Sequence, residues 1–321
     1  MGVPAWKTWT ALAIVYVVWG STYLAIRYAV DGLPALLTAG ARFLLSALLL
    51  AGFLAVRRGK GAFRASPRQW LGAGAVGLLL LLGGNGCVML AEDAHLPSGL
   101  TALLVAGVPL FVVAVRWLTR DRPTRRTLLG VGVGFAGLAV LLLPGSRPTG
   151  VSVTAAATVV LGSALWACGS VLAGRIPLPK DPLAITIGEM AGGAVGLFVV
   201  GAVRGEHLST GGAGPRAWIA FGYLVVFGSV VAFTAYSWLL QTAPVSQVAT
   251  YAYVNPVVAV ALGAVVAGES ITAVSLVGGL VTLVAVYLVV TEESRRRRGR
   301  AAQPEVYVPT ERQGRVRSSA T

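Results

Sequence analysis

Two ionisable side chains stand well inside apolar runs: Arg42, in LLTAGARFLLSALLL, and Glu189, in ITIGEMAGGAVGLFVV. A charge in such a setting costs about 2.5–3.5 kcal/mol on insertion scales, so a partner or a watery cavity must offset it. Thr38, Arg42 and Ser46 recur every fourth residue and share one helix face. A guanidinium there can grip an anionic group at two points; it can equally be a structural Arg bonded to backbone carbonyls. Gln247, Tyr251 and Asn255 form a second polar stripe at the same spacing. Pro256 follows at once and frees the carbonyl of Ala252, which is tolerated in a membrane only where it is buried in protein or lines water. Tyr16, Trp19 and Tyr23 fall on one helix face, as do Ser163, Trp166 and Ser170. Asn85, among Gly83, Gly84 and Gly86, suits close helix packing first and a site second. Asp121 and Glu269 lie in predicted loops, where they cap or tie turns. This set suits a binding wall. It is not catalytic machinery, because every Asp lies in a predicted loop and His95 and His207 stand in or near loops. No phosphate-binding loop and no H-E-x-x-H pattern occur, so no ATP motor, metal or cofactor is expected.

These residues require a membrane scaffold. The chain has 321 residues, 56% hydrophobic and 12% charged, against about 25% charged in a soluble domain. The net charge of +14 does not imply nucleic acid, because the basic residues cluster in alternate loops. Arg57, Arg58, Lys60, Arg64 and Arg68 lie in one, Arg116, Arg120, Arg122, Arg125 and Arg126 in another, and Arg295–Arg298 with Arg300 in the tail. That is the positive-inside pattern, and it places both termini in the cytoplasm. Asp31, Glu92, Asp93, Glu206 and Glu269 fall on the other side. Cys87 and Cys168 sit in apolar runs and read as small core residues.

Ten runs have the length of about 17–25 residues that a membrane-spanning helix needs. They are α1 Trp9–Ala29, α2 Leu36–Val56, α3 Trp70–Leu90, α4 Gly99–Trp117, α5 Thr127–Leu143, α6 Val153–Ala173, α7 Leu183–Val203, α8 Trp218–Leu240, α9 Val245–Ala267 and α10 Val274–Val290. The two halves repeat. Pro97 and Pro109 recur as Pro244 and Pro256, Trp19 as Trp166, and Arg42 as Glu189, each 147 residues on. Five helices per copy is an odd number, so the second copy enters the membrane inverted. The fold expected is an all-α integral membrane protein of ten helices in two inverted repeats, residues 1–145 and 146–290, with a basic disordered tail at 291–321. The N-terminal apolar run has a counterpart in the second half and is read as part of the fold rather than a signal peptide.

The ordered motifs resemble those of the drug/metabolite transporter superfamily, specifically its EamA-type ten-helix members. They are Trp19-Gly20-Ser21-Thr22-Tyr23, Ala41-Arg42-Phe43, Pro97-Ser98-Gly99, Pro109, Asp121-Arg122-Pro123-Thr124 and Gly130, then Trp166, Ala243-Pro244-Val245-Ser246, Asn255-Pro256 and Gly268-Glu269-Ser270-Ile271-Thr272. Asp121, in place of the usual Glu, and Trp166, without an adjacent Gly, depart from the pattern. The resemblance implies a central cavity from α1–α4 and α6–α9, with α5 and α10 peripheral. It also implies a secondary transporter in a bacterial inner membrane that exports small metabolites, amino acids or their analogues, or drugs. Its partners are the lipid bilayer and a small-molecule substrate; a homodimer is allowed. The substrate wall expected is Tyr16, Trp19, Tyr23, Arg42, Asn85, Trp166, Glu189, Gln247, Tyr251 and Asn255. The alternatives are import or exchange of sugar- or nucleotide-linked solutes, a lipid-modifying membrane enzyme, and a structural membrane subunit.

Overall fold

The structure is a computed structural model that describes residues 4–119, 123–143, 152–207, 212–243, 245–248 and 250–301. Pro244, the Asp121-Arg122 turn and the tail beyond residue 301 lie outside the described residues. Among the described residues the regular structure is helical throughout. The spans are α1 Ala5–Ala29, α2 Ala35–Arg58, α3 Pro67–Asp93, α4 Ser98–Leu118, α5 Arg125–Leu142, α6 Val153–Ala173, α7 Pro182–Val203, α8 Pro215–Leu239 and α10 Ala273–Arg295. The tenth, α9, is Tyr251–Ala267, with one short turn, Val245–Val248, before it.

Helix pairing obeys the repeat. α2 packs on its counterpart α7, and α5 on its counterpart α10. The pairs α1–α9 and α3–α7 are matched by α6–α4 and α8–α2. The central contacts are close because glycines remove side chains from them: a Cβ on Gly77 would lie 1.9 Å from the carbonyl oxygen of Glu189, and one on Gly192 2.5 Å from the Cα of Gly74. Outward faces are apolar and exposed, as at Leu48 and Leu49 on α2, Val195, Val199 and Val203 on α7, and Leu280, Val284 and Leu288 on α10. Such a surface is a liability in water and the normal solvent contact in lipid.

Carboxylates and hydroxyls cap the helix ends, where backbone N–H groups lack intrahelical partners. Glu206 accepts from the N–H groups of Leu36 and Leu37 at 3.0 and 2.9 Å. Glu269 accepts from those of Ser98 and Gly99 at 2.9 and 3.0 Å. The loop role expected of Glu269 is therefore an N-cap for α4, supplied by the other copy. Ser66 and Gln69 form a capping box on α3. Gly268 ends α9 at φ 64, a left-handed position that suits glycine.

The helix interiors depart from the sequence expectation in four of the helices. α4 breaks into Ser98–Val105 and Val108–Leu118, because Pro109 cannot donate to the carbonyl of Val105. α9 does not run unbroken from Val245: Thr250 lies in a turn before Tyr251. α3 and α8 each contain a π-helical stretch, Leu78–Asn85 and Leu224–Val231, at nearly equivalent positions of the two copies. Such stretches concentrate at functional sites. α3 also continues three residues past Leu90, which moves Glu92 from its predicted loop into the helix, where it is fully buried.

Candidate functional site

A central cavity of about 150 Å³ lies between the copies. Trp19, Thr22, Tyr23 and Ile26 of α1 face it, with Arg42 and Phe43 of α2 and Leu81, Gly84, Asn85 and Val88 of α3. The rest of its wall comes from the α4 break, α6, Phe233 of α8, and Tyr251, Ala252, Asn255 and Pro256 of α9. α5 and α10 contribute nothing to it, as expected of peripheral helices; α7 contributes nothing either. Proline places bare backbone on the wall twice. Pro109 and Pro256 leave the carbonyls of Val105 and Ala252 without their usual helical donors, and both residues line the cavity.

The wall is mainly apolar and aromatic with a few polar groups, the composition of a small-molecule site. Trp19 organises the aromatic part. Its ring meets Phe233 edge-on at 5.2 Å and Tyr251 at 5.3 Å, and its indole N–H donates to the carbonyl of Gly228 at 3.2 Å. That carbonyl belongs to the π-helical stretch of α8, so the irregular backbone fixes the ring. Trp166, the counterpart of Trp19, packs against Gly84, where a Cβ would lie 2.6 Å from its ring.

Among the described lining residues Arg42 is the one formal charge. Arg42 is only 3% exposed. The guanidinium lies 4.8 Å from the Phe43 ring, and Nε donates to Ser229 Oγ at 3.0 Å. Gly228 leaves room beside it, since a Cβ there would fall 3.2 Å from Nη2. Nη1 is buried with no hydrogen-bond partner. Ser46, one turn away, donates to the carbonyl of Arg42 at 2.7 Å and holds no part of the charge. Asn85 Oδ1, on the same cavity, is also buried without a partner. The site thus presents one unfilled charged donor and one unfilled neutral acceptor, and such groups are expensive to leave unpaired.

Of the ten residues expected on the wall, Trp19, Tyr23, Arg42, Asn85, Trp166, Tyr251 and Asn255 line the cavity, and Tyr16, Glu189 and Gln247 do not. Tyr16 hydrogen-bonds through its hydroxyl to Thr250 Oγ1, tying α1 to the turn before α9. Gln247 belongs to the separate short turn, so it no longer shares a helix face with Tyr251. Glu189 is carried by α7, whose backbone is pressed against Gly77 of α3 rather than against the cavity. Asn255 lines the wall, but its amide nitrogen, in the orientation that satisfies both acceptors, donates to the carbonyls of Tyr16 at 3.2 Å and Tyr251 at 3.3 Å. It therefore ties α1 to α9. Phe43, Phe233 and Ser229 were not anticipated; an aromatic or serine within an apolar run carries no spacing signal of its own.

Comparison with known proteins agrees with this architecture. The model of the EamA-like transporter family matches twice, over residues 7–143 and 153–291. The inner membrane transporter YedA of Escherichia coli is 39% identical over 279 residues, 87% of this chain and 89% of that protein. A Salmonella typhimurium protein named "Probable amino-acid metabolite efflux pump" is 24% identical, covering 86% of this chain and 92% of its own length. A solved crystal structure superposes with a TM-score of 0.61 at 19% identity, over 92% of this chain and 99% of the other, which supports the fold. The chain belongs to the EamA-like transporter family and is a transporter of small molecules across a membrane.

Proposed function

We propose that the protein exports small amphipathic metabolites bearing a carboxylate, amino acids or their analogues among them, across a bacterial inner membrane. The observation that carries this reading is Arg42 Nη1, a buried charged donor without a partner on the wall of an aromatic cavity. A substrate carboxylate would take that donor, the aromatic face of Trp19 and Tyr251 would hold its apolar part, and Asn85 Oδ1 would accept from an ammonium or hydroxyl. The efflux name of the Salmonella relative supports the direction and the substrate class. In this reading the two five-helix copies, residues 1–145 and 146–290, rock against each other to expose the cavity to either side.

Arg42→Lys and Arg42→Gln test it by two measurements. With a cavity role, melting of the detergent-purified protein is nearly unchanged. Uptake of carboxylate substrates into inverted vesicles then falls about 10–100-fold, the loss of one charged hydrogen bond of about 1.5–3 kcal/mol. Lower melting with normal uptake per folded molecule makes Arg42 structural and removes the case for an anionic substrate. Orientation is tested separately. Both Gly61 and Gly212 stand in open space, so a cysteine fits at either. With cytoplasmic termini an impermeant thiol reagent labels Gly212→Cys from outside whole cells and not Gly61→Cys; the reverse inverts the topology.

A further inference from the structure

A second cavity, about 490 Å³, opens among the loops on the acidic side, and Glu92 lines it. Glu92 is 0% exposed, and neither carboxylate oxygen has a hydrogen-bond partner. An ionised carboxylate in that state would cost several kcal/mol, so the group is neutral here. The counterpart of Glu92 in the second copy, 147 residues on, is Leu239, also buried, so the fold does not require an acid at this position. The surroundings explain both the missing partner and where one could come from. Arg27 of α1 is adjacent, yet its Nη1 donates to the backbone carbonyl of Glu92 at 3.1 Å and to His95 Nδ1 at 3.2 Å, not to the carboxylate. His95 is the one non-glycine at positive φ among the described residues, at φ 64, a conformation that costs about 1–2 kcal/mol and gathers at functional sites. Glu269 shares the cavity and holds the α4 cap as an acceptor, so a second negative charge beside it is disfavoured. The other ionisable groups facing the cavity are Tyr28, stacked under Arg216, with Asp31 and Asp93.

We infer that Glu92 is a proton-binding site of the transport cycle, neutral in this conformation and ionised when Arg27 swings from the Glu92 carbonyl and His95 onto the carboxylate. On ionisation the carboxyl O–H bond breaks, its electron pair stays on the carboxylate, and the proton passes to water in the outer cavity. This role rests on the transport reading above, but the proton site can be tested without any substrate.

Infrared spectra of the full-length purified protein are recorded from pH 5 to pH 9. The parent-minus-Glu92→Gln difference spectrum, in which other buried acids such as Glu189 cancel, carries a carboxylic acid C=O band at low pH that disappears as pH rises. In Arg27→Gln the ionised form has lost its partner, and the band persists at a pH where the parent protein has lost it. A difference spectrum without that band, or one whose band does not change between pH 5 and pH 9, overturns the inference. A mixed pool of radiolabelled amino acids in proteoliposomes provides the coupling measurement. An imposed pH gradient speeds flux in the parent and not in Glu92→Gln, which still exchanges label; equal acceleration in both also overturns it. If the parent moves none of the pool, the substrate reading fails while the infrared titration still decides the proton site.

Discussion

The two copies share a scaffold and differ in chemistry. Both carry a π-helical stretch, both use a proline to bare a carbonyl at the cavity, and both place a tryptophan on its wall. Yet Arg42 reaches the cavity and its counterpart Glu189 does not; Tyr251 and Asn255 stand where the first copy has Leu104 and Val108. Duplication supplies the geometry, which needs glycines, prolines and caps at fixed places. Function resides in the residues by which the copies depart from each other. With Glu189 on the wall beside Arg42 the two charges would cancel; with Arg42 alone the site is biased to positive charge.

The largest effect expected concerns a scaffold position. Gly77 meets the Glu189 carbonyl, whereas the equivalent residue of the second copy is Leu224, fully buried. Gly77→Ala drives a Cβ into backbone and should abolish the monodisperse peak in size-exclusion chromatography, while Leu224→Ala leaves a folded protein weakened by about 2–5 kcal/mol. If Gly77→Ala folds normally, the α3–α7 crossing is looser than the scaffold comparison requires. Next in size is the charge pair. Arg42→Gln should cut carboxylate transport as above, and Glu189→Gln should change it less than about threefold, under 1 kcal/mol. Equal losses in the two would mean the copies contribute alike and would erase the asymmetry. The smallest effect is at the α1–α9 tie. Asn255→Ala removes two donors from buried carbonyls and should lower melting by an amount matching about 1–3 kcal/mol, whereas Val108→Ala costs no polar contact. Unchanged melting with lost uptake in Asn255→Ala would move that side chain from the tie to the substrate.

Much of this was legible before any coordinates. The low charge content, the alternating basic loops and the 147-residue recurrence of Pro97, Pro109, Trp19 and Arg42 suffice for a duplicated ten-helix membrane protein, because lipid leaves the backbone few alternatives. Helical spacing also found Trp19 and Tyr23 of the α1 face, since a regular helix carries residue spacing directly into space; of the α2 stripe Arg42 lines the cavity and Thr38 and Ser46 do not. It failed where the helix is not regular. Gln247 was placed with Tyr251 on the assumption of one continuous α9, and the turn at Thr250 rotates it away. Glu189 and Arg42 hold equivalent sequence positions, and only packing puts α2 on the cavity and keeps α7 off it. Glu92 read as a loop acid; the extra helical turn that buries it depends on His95 taking a left-handed backbone and on Arg27 arriving from α1. Composition and local period are properties of neighbours in the chain, so sequence alone determined the membrane, the helices and the repeat. Which side chains lack a partner depends on groups 65 to 234 residues away in sequence, and tertiary structure alone decided that.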